Sequence, residues 1–151
     1  MSNTKNQYTE ETLCLIDIKC LLPQEKPFIA IDRLIKFTEN SATTETSIKP
    51  ESLFVEKEEM TACGMLENIA QTCAAHIGYY DRYIANSEIE NGVIAAVRRF
   101  DINRLPRMGE IITTEIQITA NVFGMRLAEA SIKAGEEILA NSEIKIATKQ
   151  E

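Results

Sequence analysis

Glu67 and Gln71 stand four residues apart, close enough on a helix to face the same way, one turn above the other. A carboxyl group in the first turn of an apolar helix has the helix dipole to favour its charge. Burial would instead raise its pKa and suit it to donate a proton. Glu67 therefore reads as a candidate general acid with Gln71 facing the same way; a helix-end carboxylate and a satisfied buried amide are the structural alternatives. His76, the only histidine in the chain, lies nine residues beyond Glu67. Nine steps of a helix place it about 180° around and roughly 13 Å along, so it cannot share a site with its own Glu67. Cys63, at the start of the same helix, sits where a thiolate is stabilised. It would need a base as a nucleophile, however, and His76 is thirteen residues away. Cys73 and His76, three apart, read as core packing. Arg98, Arg99, Arg104 and Arg107 crowd four of the seven arginines into ten residues. They either pair with Asp101, Glu110 and Glu115 or form a surface for an acidic partner.

These residues need positioning by a small number of elements. Cys63 to Tyr83 is the one long helix, with Met65, Leu66, Ile69, Ala70, Cys73, Ala74, Ile77 and Tyr80 at helical spacing. Ala75, Gly78 and Thr72 leave its other faces small and uncharged, as in a buried helix. Thr61 or Cys63 caps it. Before it, Thr12 to Cys20 reads as a short helix, Phe28 to Thr38 and Ser41 to Ile48 as a β-hairpin, and Lys49 to Thr61 as a loop. After a loop over Ile84 to Asn91 come strands at Val93–Ile102, Ile111–Phe123, Met125–Ala134 and Ile138–Thr148, with turns at Gly124 and Gly135-Glu136. In the second of these, Ile112, Thr114, Ile116, Ile118, Ala120 and Val122 share one face. The first eleven residues are expected to be disordered, and residues 1–151 to form one domain.

Composition narrows the function. With 16 basic against 23 acidic groups the formal charge is −7, against the basic footprint that nucleic-acid binding needs. No apolar run approaches the ~20 residues of a membrane span. Met1 to Glu11 is polar and lacks a signal-peptide centre, so a cytoplasmic setting is expected. The four cysteines show no C-x-x-C spacing, and neither a disulfide framework nor a zinc site is expected.

The order is helix, two strands, one long buried helix, then four strands, an α+β pattern. An antiparallel sheet must bury one face, and one central helix can cover it. A sheet wrapped around a long apolar helix is the hotdog architecture, whose edges and apolar surface call for a dimer.

Three segments carry a family resemblance. Leu21 to Arg33, reading Leu-Leu-Pro-Gln-Glu-Lys-Pro-Phe-Ile-Ala-Ile-Asp-Arg, resembles the "LLPHRYPFLLVDR" segment of 3-hydroxyacyl-acyl carrier protein dehydratases. Glu67-Asn68-Ile69-Ala70-Gln71 resembles the "E-A-L-A-Q" of their central helix. Arg104, Pro106 and Gly109-Glu110 resemble their "R-R-P-x-x-P-G-D". The match extends from Leu13 to Thr148. It implies chemistry on 3-hydroxyacyl thioesters in fatty-acid biosynthesis, a lyase reaction in which a His removes the α-proton. A helix carboxylate of the other subunit protonates the departing hydroxyl, and N–H groups at the helix start polarise the thioester carbonyl. Glu67 takes the carboxylate's place. The family's "G-H-F-P" loop is absent: Leu53, within Ser52-Leu53-Phe54-Val55, stands where the His belongs, fourteen residues before Glu67. Met60 to Gly64 replaces the "P-x-M-P-G" run.

The pattern Glu67, Ala70, Gln71, Ala74, Ala75 and Gly78 is similar to the dehydratase-like hotdog proteins of aryl polyene and flexirubin pigment synthesis, which also lack that loop. The resemblance implies substrate contacts at Gly64, Asn68, Gln71, Phe28, Leu53 and Phe54. It also implies docking of an acidic acyl carrier protein on Arg98, Arg99, Arg104 and Arg107. No metal or organic cofactor is implied. The partner is the same chain in a homodimer, or a catalytically complete hotdog subunit in a heterodimer. A hotdog acyl thioesterase in which Glu67 activates water is the alternative.

Overall fold

Alternating β-branched and polar residues after Ile111 produce long antiparallel strands, and a computed structural model of the chain builds one sheet around them. It describes residues 8–89 and 92–148. The elements are β1 (Arg33–Thr38), β2 (Ser41–Ser47), β3 (Val55–Glu56), β4 (Glu59–Met60), α1 (Ala62–Tyr79), β5 (Gly92–Ile102), β6 (Ile111–Val122), β7 (Met125–Ala134) and β8 (Glu137–Thr148). Six strands form a sheet of order β1-β2-β6-β7-β8-β5, each neighbouring pair antiparallel, while β3 and β4 form a separate hairpin. One face of this sheet is covered by α1, which is the hotdog fold. Met65 and Ile69 of the helix are fully buried, as are Ile112, Ile116, Ile132, Leu139 and Ile144 of the sheet. Each such side chain contributes about 1.5–3 kcal/mol relative to an exposed one. No helix among the described residues is long and apolar enough to cross a membrane.

The helix begins where its cap is. Thr61 is extended, and its Oγ1 accepts from the Gly64 N–H at 3.1 Å. Near the other end Gly78 lets α1 approach the chain before β1: a Cβ there would stand 2.1 Å from the Leu21 carbonyl oxygen. The α-helix stops at Tyr79 and widens into a π-helical turn over Tyr80–Ile84, so the helical course runs to within one residue of the expected end at Tyr83 although its last turn is not α.

Other expectations need correction. The segment at 12–20 is two 3₁₀ turns, Leu13–Leu15 and Ile18–Cys20, because the extended Asp17 interrupts it and caps the second turn through the Lys19 N–H. The first strand starts at Arg33 rather than Phe28, because residues 28–30 give their backbone groups to side chains of α1. The loop expected at 49–61 contains the β3–β4 hairpin, turned by Lys57 and Glu58 at φ 50° and 67°. In β6 the pairing with β7 slips between Ile118 and Ala120. Ile112, Thr114 and Ile116 face the core as expected, but the bulge returns Ala120 and Val122 to the outer face, with Val122 55% exposed. Residues 1–7 of the segment expected to be disordered lie outside the described residues. Tyr8 packs edge-on against Tyr79 and Tyr83.

Candidate active site

Glu67 lies in the second turn of α1, one turn deeper than expected from the sequence, since the helix begins at Ala62. It is half-buried. The Gln71 Nε2 donates to its Oε1 at 2.8 Å, so the carboxylate is held by the residue one turn on. The same Nε2 donates to the Phe28 carbonyl at 2.7 Å, while the Gln71 Oε1 accepts from the Ala30 N–H at 2.6 Å. A single amide thus pins the strand approach at 28–30 to the helix and holds the Glu67 carboxyl group.

Asn68 performs a similar task on the neighbouring face. Its Nδ2 donates to the Ala30 carbonyl at 2.9 Å and to Thr46 Oγ1 at 3.1 Å, and its Oδ1 accepts from the Thr114 hydroxyl. Thr72 Oγ1 donates to the Asn68 carbonyl at 2.8 Å and meets Thr44 Oγ1 at 2.7 Å. Asn68, Gln71, Thr72, Thr44 and Thr114 have no exposure at all. Asn68 and Gln71 therefore sit behind the site surface, holding residues 28–30 in place. The sequence reading places Thr114 on the inward face of its strand and Thr72 on the helix but gives none of the four threonines a bonding role. A threonine on a core-facing position is the signal that a buried partner is required.

At the helix start, Gly64 allows close approach: a Cβ would meet the Phe54 Cβ at 2.7 Å. Its N–H is taken by the Thr61 cap, leaving the Ala62 and Cys63 amides as the uncapped donors of the first turn. Leu53 is 54% exposed and Phe28 57% exposed. Leu53 lines a cavity of about 380 Å³ together with Ile29, Ile48, Val55, Met60 and the lysines Lys26 and Lys49. Leu53 alone of the six expected substrate contacts is among its lining. Lys26 and Lys49 had no marker in the sequence beyond their charge.

The residues of α1 that are not buried form one stripe: Ala62, Cys63, Leu66, Glu67, Ala70 and Ala74. Ala70 and Ala74 border a cleft with Gly92, Val93 and Ile94 of β5. β5 is an edge strand, paired with β8 on one side and unpaired on the other among the described residues. Val93 is 63% exposed and Val97 40%. The stripe bearing Glu67 and the free edge of β5 form one continuous, largely apolar face.

The four arginines part company. Arg98 and Arg99, on β5, make exposed ion pairs with Glu143 at 3.5 Å and Asp101 at 3.3 Å. Arg104 is held by Glu110 through two hydrogen bonds of 2.8 Å and by Glu137 at 2.7 Å. That guanidinium pushes the Glu110 carboxyl down to about 2. The Arg107 guanidinium makes no ion pair among the described residues, although its backbone N–H donates to Glu110 Oε1 at 2.7 Å. Its backbone bridges to Glu59 of β4, beside the helix start.

His76 is at the opposite end of α1 and almost completely buried. Its ring stacks on Phe37, centroids 4.9 Å apart, and Nε2 lies 3.0 Å and 3.1 Å from the carbonyl oxygens of Thr38 and Glu39. Two carbonyls can only accept, so Nε2 carries the proton. Burial lowers its pKa. Cys73 is buried too, its thiol pushed up to about 12, and Cys63 is exposed.

Comparison with known proteins adds context. The ApeP-like family, described as ApeP dehydratase, matches residues 16–151. A 3-hydroxyacyl-[acyl-carrier-protein] dehydratase FabZ of Caldanaerobacter subterraneus is 25% identical over 134 residues, 85% of this chain and 92% of that protein. Among solved structures, the dehydratase heterocomplex ApeI:P from Xenorhabdus doucetiae superposes with a TM-score of 0.83 at 13% identity, covering 90% of this chain and 93% of that one. A hypothetical thioesterase with coenzyme A from Streptococcus pneumoniae superposes with a TM-score of 0.62 at 8% identity, covering 78% and 85%.

Proposed function

The chain belongs to the ApeP-like dehydratase family, and from that premise we propose that it presents Glu67 as the acid of a 3-hydroxyacyl thioester dehydratase whose base comes from another hotdog subunit. One observation carries this reading. Glu67 is clamped by Gln71 on a half-exposed stripe, while the only histidine is locked at the other end of the helix. Elimination of water needs a base to take the α-proton and an acid to protonate the leaving hydroxyl. This chain has the second group in place and Leu53 where the family's base would stand. A partner seated on the β5 edge and the α1 stripe would bring its own base towards Glu67. The structural likeness to the dehydratase heterocomplex ApeI:P supports that arrangement.

The substrate is a 3-hydroxyacyl chain on an acyl carrier protein, of the fatty-acid or polyene-pigment type. The Ala62 and Cys63 amides would polarise its carbonyl. The apolar cavity beside Leu53 would take part of the acyl or pantetheine arm, with Phe28 and Phe54 flanking it. Arg104 is clamped by two carboxylates, whereas the single ion pairs of Arg98 and Arg99 are exposed and easily exchanged, so an acidic carrier would meet Arg107 first and then Arg98 and Arg99, with Lys26 and Lys49 at the cavity.

The test is incubation of 3-hydroxyacyl-acyl carrier protein with the chain alone, with a histidine-bearing hotdog partner alone, and with both, following loss of water by mass. Turnover by the mixture above that of either alone, lost on Glu67→Gln, is the expected result. Turnover by the chain alone would replace the borrowed base with an internal one. Release of free acid would move the reading to a thioesterase.

A further inference from the structure

Arg126 has no ion-pair or hydrogen-bond partner among the described residues. It stands in β7 opposite Asn121 of β6 and Ile146 of β8. It alternates in step with Ala128 and Ala130, both buried, and so faces the inner side of the sheet. The β6 bulge matters here: by slipping one residue after Ile118 it puts Asn121, rather than Ala120 or Val122, on that inner side. Arg126 is half-buried, yet among the described residues it has no carboxylate within 4 Å and no hydrogen bond. A desolvated charge is ordinarily paired.

The surroundings supply a place for the missing partner. Arg126, Asn121, Asn40, Tyr80 and His76 line a cavity of about 180 Å³ together with Ile118 and Glu39. Two amides and a phenol can each donate a hydrogen bond. The buried His76 Nδ1 has no partner; in the Nε2–H tautomer it is an acceptor, and on protonation it becomes a further donor. We propose that this cavity is a binding site for a small oxyanion, a carboxylate or a phosphate, seated on the Arg126 guanidinium. The guanidinium fork suits both groups through two parallel hydrogen bonds. The site is separate from Glu67, being half a turn around α1 and roughly 13 Å along it.

An anion here would act on His76, which is faced by several groups. The Thr38 and Glu39 carbonyls and the Phe37 ring lie on the β1–β2 side, and Arg126 comes from β7. Cys73 lies one turn back on α1, and Asp81 lies just past the helix. Burial and the bare Arg126 charge both lower the imidazole pKa, while Asp81 and the carbonyl bonds raise it. An oxyanion on Arg126 cancels one lowering influence and adds a raising one, so binding favours the imidazolium. Glu39, an exposed residue of the same lining, brings a negative charge near the cavity that opposes a bound anion.

The single histidine makes the test direct. With any affinity tag removed, the His76 imidazole signal is titrated by NMR in chloride, in inorganic phosphate and in acetate at equal ionic strength. Phosphate or acetate should raise the His76 pKa saturably by about one unit over chloride, and the tighter of the two identifies the source of the oxyanion. Arg126→Gln should abolish the rise, Arg126→Lys should weaken binding, and Glu39→Gln should tighten it. Glu67→Gln should leave it unchanged. An equal shift in chloride, a shift that persists in Arg126→Gln, or no shift with either anion overturns the proposal. Should Arg126→Gln fail to fold, Glu39→Gln still decides, since an unchanged affinity there refutes a site at this lining.

Discussion

The two ends of α1 hold the chain's two most informative proton-handling side chains under opposite conditions. Glu67 is half-exposed, bonded by one neutral amide and placed on a stripe continuous with a free strand edge. His76 is buried, stacked on Phe37 and tied to two backbone carbonyls. The same helix thus presents a carboxyl group on its exposed stripe at one end and holds a neutral imidazole in its core at the other. Chemistry requiring both cannot take place within one chain, whatever the identity of the residues.

The comparison can be broken most sharply at the exposed end. Glu67→Gln removes the proton and keeps the shape, so turnover in the presence of a competent partner should fall about 10²–10⁴-fold, with unchanged thermal stability. An equal loss of folding and turnover would make Glu67 a structural group instead. Next in size is the buried scaffold between the ends. Asn68→Ala strips partners from the Ala30 carbonyl, Thr46 and Thr114 at once. The expected cost is about 3 kcal/mol, read from the midpoint of urea unfolding at an unchanged slope.

The buried end should show itself in pH dependence. The folded His76 pKa lies below its ordinary value, so between the two the unfolded chain binds more protons than the folded one. Stability should therefore fall as pH drops below about 6.5 and level off above it. His76→Gln should flatten that part of the profile, measured by unfolding midpoints at several pH values. Smallest is the surface: Arg107→Glu should raise the KM for an acyl carrier protein severalfold in low salt, with kcat unchanged, because the effect is screened and external. An equal change at high salt would argue for a contact other than charge.

Much of this was legible in the chain before folding. Helical spacing from Met65 to Ile77 announced a buried helix, and period-two alternation announced the strands after Ile111, because both periods follow from local backbone geometry. The pairing of Glu67 with Gln71 followed from a four-residue spacing, a distance that a helix fixes by itself. So did the separation of Glu67 from His76. What escaped is everything that depends on contacts between distant segments. The strand at Phe28 begins late because Gln71 and Asn68, some forty residues away, take up the backbone of residues 28–30. The bulge after Ile118 reverses the outward run of β6 and turns Asn121 inward, a matter of register with β7. Arg104 belongs to Glu110 and Glu137, and Arg126 faces a cavity, though all the arginines look alike in a charge count. Periodicity carries the local rules; hydrogen-bond satisfaction and charge pairing are settled only when remote pieces of the chain arrive at the same place.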